Sequence, residues 1–142
     1  KMKKIVLSAI ALIVTGTLIS FKLPTTKTSE VVAFQDGNKG KAIYSKTCIA
    51  CHQANGQGIP NAFPPLAKSD YLNKDVNRAI KVVLNGLSGP VTVNGKKFNS
   101  AMTSQGLSDQ QVADVLTYVY SSWGNNNTKV TPAMVKAQRG KK

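Results

Sequence analysis

Apolar residues run almost unbroken from Ile5 to Phe21, interrupted only by small or hydroxyl-bearing side chains, and Lys1, Lys3 and Lys4 stand ahead of them. A positive start followed by about 17 apolar residues lies between the core of an export signal and a minimal membrane span. Residues 1–23 therefore read as an export signal or, if retained, as an N-terminal membrane anchor. Small residues suited to cleavage occur at Val31-Val32-Ala33, far from the apolar run. Either reading places the rest of the chain in the periplasm or elsewhere outside the cytoplasm, with membrane association through residues 5–21 if the segment persists. Residues 24–35 are polar, with scattered Thr and Lys, and read as a flexible tether.

Helical periodicity takes over downstream. Asp36 is a suitable N-cap for a first helix that carries Ala42, Ile43 and Tyr44 up to Cys48. Gly40 lies inside that helix, where it costs about 1 kcal/mol against Ala, so a close backbone neighbour is expected there. Gly56, Gly58 and Pro60 mark a loop, and Phe63-Pro64-Pro65-Leu66 continues it in extended form, because residues before proline avoid the helical region. Val76, Ile80, Val83 and Leu84 share one face of a helix expected from Lys74 to Leu84 and ended by Asn85-Gly86. Val91-Thr92-Val93 and Lys97-Phe98 flank Asn94-Gly95, the signature of a tight hairpin with a type I′ turn. Ser108 followed by Gln111 is a capping box, and Val112, Val115, Leu116 and Val119 then recur at helical spacing to about Ser122. Thr131 and Pro132 fit the N-cap and first position of a short last helix. The expected fold is mainly α, with one short hairpin.

Length supports a single small domain over residues 36–142 of the 142-residue chain. A domain of that size has a thin core, which a large buried cofactor would supplement. From Phe34 onward, 14 Lys and Arg face 5 Asp and Glu, so the domain carries about +9. Such a charge suits solubility and acidic redox partners. Nucleic acid is not expected as a partner, since no recognition-helix pattern, zinc-finger spacing or aromatic ladder accompanies the charge.

Cysteine and histidine change the picture most. The chain has two Cys and one His, and all three lie in Cys48-Ile49-Ala50-Cys51-His52. This is the C-x-x-C-H haem attachment motif. Two intervening residues bring both thiols to one edge of a porphyrin, where they add across its two vinyl groups. The imidazole that follows reaches the iron. A structural zinc site needs four ligands, and no further Cys or His exists. A redox dithiol expects a βαβ setting, which the helical pattern does not offer. One motif implies one covalent haem c.

With histidine exhausted, Met is the expected second axial ligand, and it raises the reduction potential. Met2 lies in the export segment, and Met134 sits at core spacing in the last helix. Met102 lies in the loop between the hairpin and the capping box, a loop able to cross the far face of the haem, and is the expected ligand.

The chain resembles a class I bacterial monohaem cytochrome c, especially the small cytochrome domains associated with nitrite reductases, oxidases and dehydrogenases. The resemblance runs from about Gly37 to Arg139. Gly40, Ile43 and Tyr44 before Cys48 carry it, with the attachment motif, Gly56-x-Gly58 and Phe63-Pro64-Pro65-Leu66. It continues through Val93-Asn94-Gly95-Lys96, Met102, Leu107-Ser108-Asp109, Val115 to Val119 and Trp123-Gly124-Asn125. It implies helices wrapped around one haem, with the first and last long helices crossing near Gly40 and Tyr118. It also implies that the Pro64 carbonyl accepts a hydrogen bond from His52 Nδ1, fixing the ring. The family often has proline directly after the ligand Met, whereas Thr103 stands here, which implies a less constrained loop. Tyr118 and Trp123 either pack on the haem, bond a propionate or pack between helices.

The expected function is single-haem electron transfer between redox proteins with acidic docking surfaces, with no catalytic residues. Basic residues such as Lys46, Lys96 and Lys97 would steer such partners. The alternatives are a cytochrome subunit fixed in a larger complex, and a haem peroxidase, which requires an open iron position.

Overall fold

The computed structural model describes the backbone of residues 29–141, with side chains from residue 38 onward. The export or anchor segment 1–23 lies outside the described residues. Six helices and two short strands follow in the order α1 (Ser29–Thr47), α2 (Ile49–His52), α3 (Asp70–Lys74), α4 (Val76–Asn85), β1 (Val91–Val93), β2 (Lys96–Phe98), α5 (Asp109–Ser121) and α6 (Pro132–Gln138). The domain is mainly helical, as its periodicity predicts.

Two boundaries differ from the sequence reading. Helix α1 is described from Ser29, so Asp36 is interior to it and residues 29–35 are helical. No Gly or Pro lies between Pro24 and Gly37, so nothing in the backbone chemistry forces a stop there. The helix expected from Lys74 to Leu84 is α4, which starts two residues later at Val76, and a separate short helix, α3, precedes it. Asp75 separates them by adopting extended geometry (φ −153°, ψ 102°), and its carboxylate accepts from the Arg78 N–H to cap α4.

The remaining local signals produce the expected elements. Ser108 and Gln111 form the full reciprocal capping box of α5, and the Thr131 hydroxyl caps α6 with Pro132 at its start. Asn94 and Gly95 have φ values of 50° and 75°, the double positive φ of a type I′ turn. They join β1 and β2 in an antiparallel pair with Val91 opposite Phe98 and Val93 opposite Lys96.

Helices α1 and α5 form the most extensive packing in the molecule. They cross at Gly40. A Cβ there would lie 2.2 Å from the Asp114 carbonyl oxygen and 2.7 Å from Tyr118 Cβ, so only glycine lets the backbones meet. The cost of Gly40 in a helix is thereby offset by the closest approach between the two main helices. Tyr44 is 1% exposed and sits just below the crossing. Its ring lies 5.6 Å from Tyr118 and 5.1 Å from Trp123, centroid to centroid. Tyr118 and Trp123 thus pack between helices, and neither lines the cavity described below. The core continues through Ile80, Val112, Val115, Leu116 and Val119 to Val130 and Val135 under α6.

Candidate functional site

Helix α1 ends at Thr47, and the chain starts a second short helix at Ile49. Cys48 is the joint between them: its N–H donates to the Tyr44 carbonyl at 2.9 Å, and its own carbonyl accepts from the His52 N–H at 2.9 Å. The one-turn helix α2 holds Cys48, Cys51 and His52 in fixed relation. After His52 the chain must turn away sharply. Gln53 does this with φ 63° and ψ 162°, a region that costs a side-chain-bearing residue about 1–3 kcal/mol. Several bonds hold it there. The Tyr44 hydroxyl donates to the Gln53 carbonyl at 2.7 Å, the Gly56 N–H donates to the same oxygen at 3.1 Å, and Gln53 Nε2 donates to Ala50 O at 3.2 Å. The buried Tyr44 hydroxyl is correspondingly pushed well above its ordinary pKa, mainly by burial.

The following loop folds back on the imidazole. Gly56 O accepts N–H groups from Leu66 and Ala67 at 2.7 and 2.9 Å, and Ile59 pairs with Phe63. At Gly58 (φ 66°) a Cβ would lie 2.3 Å from the Phe63 carbonyl oxygen and 2.7 Å from Pro64. This close approach brings the Pro64 carbonyl 3.0 Å from His52 Nδ1. His52 is buried, and burial pushes its imidazole below the usual pKa range, with the Pro64 hydrogen bond opposing the shift. The neutral ring donates at Nδ1 to Pro64 O, which leaves Nε2 as its lone-pair nitrogen. Burial likewise raises the Cys48 thiol pKa, against the Thr47 hydroxyl at 3.3 Å, which lowers it.

Asn125 braces this side from a distance. Its Nδ2 donates to Leu66 O and Val119 O, both at 2.9 Å, and its Oδ1 accepts from Ser69 N and from Asn73 Nδ2. In the sequence Asn125 stands out only as the end of the Trp123-Gly124-Asn125 stretch that carries the resemblance. The partners of Asn125 lie up to 59 positions away, so no local pattern reveals its role.

A second stretch of the cavity lining carries Met102. Its N–H donates to Leu87 O at 2.8 Å and its carbonyl accepts from Leu87 N at 2.9 Å, an isolated antiparallel bridge. Between the two walls is a cavity of about 310 Å³. Cys48, Cys51, His52, Pro64 and Met102 all line it, together with apolar side chains such as Phe63, Leu72, Val83 and Leu116. The five residues singled out in the sequence therefore come together around one space. Two thiols, one imidazole, one thioether and a lining that is mostly apolar, with a few hydroxyl and amide side chains and, among the described residues, no Lys, Arg, Asp or Glu, form a donor set that fits a planar, apolar iron macrocycle. Lys46, Lys96 and Lys97 are exposed and outside that lining.

Comparison with known proteins agrees with this chemistry. The cytochrome c family model matches residues 37–123. Cytochrome c-552 of Thermus thermophilus is 45% identical over 91 residues, which cover 61% of this chain and 69% of that protein. The cytochrome c subunit of the quinone alcohol dehydrogenase of Gluconobacter oxydans is 33% identical over 92 residues, covering 63% of this chain and 19% of that subunit. The cytochrome c subunit of gluconate 2-dehydrogenase from Pantoea cypripedii is 34% identical over 94 residues, again 63% of this chain and 21% of that subunit. The chain thus spans about a fifth of the dehydrogenase subunits and more than two thirds of one free cytochrome. An attachment motif at one end of an apolar cavity and a family match over most of the described domain lead to one conclusion: this chain belongs to the cytochrome c family, carries covalent haem c and transfers electrons.

Proposed function

We propose that Cys48 and Cys51 would hold the haem through thioether bonds, that His52 through Nε2 and Met102 through Sδ would bind its iron, and that Pro64 orients His52. The observation that carries this reading is the convergence of all five residues on one cavity, with the Pro64 carbonyl 3.0 Å from His52 Nδ1. Bound haem supplies a one-electron iron couple. The chain's own residues do the rest. His52 is held in one tautomer and one orientation, so the ligand geometry need not reorganise between oxidation states. The apolar walls exclude water, and with a thioether ligand they favour a raised potential. With His52 and Met102 both holding the iron, no position would be left there for a substrate, and the chemistry supplied would be transfer of one electron at a time between a donor and an acceptor.

The domain works outside the cytoplasm, delivered there by residues 1–23, and docks with redox proteins that present acidic surfaces. Lys46 lies beside the cavity-lining Thr47, so its charge would act near the attachment edge. Basic steering of this kind acts on encounter rate and is screened by salt. The dehydrogenase subunits among its relatives favour a second form of the same role, a cytochrome serving one dehydrogenase as a fixed component. The ferric absorption spectrum tests the ligand set. The weak red band of Met-ligated ferric haem is expected, and it should vanish in Met102→Leu. A high-spin ferric spectrum with rapid peroxide turnover would replace this reading with a peroxidase. Stopped-flow oxidation by an acidic redox protein, run as a salt series, tests the docking. The rate should fall as salt rises, and a rate indifferent to salt would remove the basic-steering part.

A further inference from the structure

Helix α4 ends at Asn85, and Gly86 follows with φ 81° and ψ −176°. That backbone region is open essentially to glycine alone. A Cβ here would also lie 2.4 Å from the Met102 carbonyl oxygen and 3.0 Å from the Ser104 nitrogen. The unusual conformation turns Leu87 so that both of its backbone groups face Met102, giving the bridge at 2.8 and 2.9 Å. Two further bonds tie the same stretch to the same helix end. Ser104 Oγ donates to Leu84 O at 2.5 Å, and Gln105 N donates to Val83 O at 3.3 Å. Around these bonds the loop is open: Ala101, Thr103, Ser104 and Gly106 are exposed. Helix α4 itself is fixed in the core by Ile80, which is fully buried.

We propose that the C-terminal end of α4 is a clamp that sets how firmly Met102 holds its place opposite His52, with Gly86 and Ser104 as positioning residues. This rests on the reading of Met102 as the second axial ligand. The clamp answers the question raised by Thr103. Where relatives often place proline after the ligand Met, this chain holds the Met by its backbone from the neighbouring helix end. Proline at position 103 is then superfluous. The Thr103 N–H makes no hydrogen bond among the described residues, and Met102 is already paired with Leu87 in an antiparallel bridge, a pairing compatible with a proline after it.

The test uses the full-length, haem-loaded protein in the ferric state, titrated with imidazole, which competes with Met102 for iron. The red Met-ligation band and the imidazole affinity are read together. Gly86→Ala should bind imidazole about tenfold more tightly or more, equivalent to about 1.4 kcal/mol taken from the Met bond. Ser104→Ala should bind it about threefold more tightly, the effect of one lost hydrogen bond. Thr103→Pro should stay within about twofold of the unchanged protein. Val135→Ala, at the buried position of α6, should lower the melting temperature without moving the affinity.

If Gly86→Ala and Ser104→Ala keep the band and the unchanged affinity, the clamp is wrong and Met102 remains a ligand held by other means. If Gly86→Ala yields no haem-loaded protein, Ser104→Ala decides alone. If Val135→Ala raises imidazole affinity as much as Ser104→Ala, the loosening is global and the clamp is again wrong. If Met102→Leu keeps the band, the ligand assignment fails and the clamp fails with it.

Discussion

The two walls of the haem cavity are built on different plans. The His52 wall is redundant: the motif helix, the turn at Gln53, the doubly used Gly56 carbonyl, the Ile59–Phe63 pairing and the Pro64 bond all converge on one ring. Asn125 then ties that loop to α5. The Met102 wall hangs on one backbone bridge and two bonds to the end of α4, in a loop whose side chains mostly face solvent. With His52 and Met102 as the ligands proposed above, the difference predicts which one is exchangeable. The His52 ring is held by many bonds and Met102 by few, so Met102 is expected to give way first, with the domain otherwise intact.

The largest expected effect is on the redundant wall. Gly58→Ala forces a Cβ into the Phe63 and Pro64 backbones and strains a positive φ, so it should cost at least about 2 kcal/mol. For a domain of this size that is a fall of roughly 10 °C in melting temperature, measurable by circular dichroism. Loss of stability with the red Met-ligation band intact below the transition fits the comparison, whereas selective loss of the band would break it. Next comes Asn125→Ala, which leaves the Leu66 carbonyl without its amide donor. A cost of about 1–3 kcal/mol is expected in the same melting experiment, again without a change in imidazole affinity.

Tyr120 gives a pH signature independent of the iron. Its buried hydroxyl donates to Leu72 O at 2.9 Å, and burial, with the Asp75 charge adding, pushes its pKa up to about 12. The folded state therefore keeps the proton longer than the unfolded chain, whose tyrosine titrates near about 10. Stability is complete below pH 10 and declines as pH rises from there toward 12. Tyr120→Phe should be about 1 kcal/mol less stable at neutral pH and should lose part of this alkaline decline, with Tyr44 supplying the rest. A variant with the full decline would show that Tyr120 does not contribute. The smallest effect is a gain. Gln53→Gly relieves the strained turn after His52 at the expense of chain entropy, for a net stabilisation of about 1 kcal/mol read from urea midpoints. Destabilisation would show that the Gln53 side-chain bond to Ala50 outweighs the strain.

Much of this was legible in the sequence where the signal was local. The Ser108–Gln111 capping box, the Asn94-Gly95 turn and the Thr131-Pro132 start of α6 depend on neighbours three residues away or fewer, and each formed as expected. Gly40 was legible as a need for close approach, and the resemblance supplied its partner at Tyr118. The start of α1 was misplaced because Asp36 is a good cap that the backbone does not use. Helix α3 was missed because five residues are too short for a periodic face, and only the Ser69 and Asp75 caps mark it off from α4. At the site, the attachment motif and Met102 stood out by residue type. The Tyr44 bond to Gln53, the Asn125 brace and the Leu87 bridge did not, since each is a contact between residues distant in sequence whose types are unremarkable.

The most direct test of the whole account is peptide mapping by mass spectrometry of the chain matured in cells that attach haem c. A single haem is expected on the peptide spanning positions 48–52, with neither sulfur open to alkylation. A haem-free peptide in which both cysteines react with the alkylating agent would contradict it.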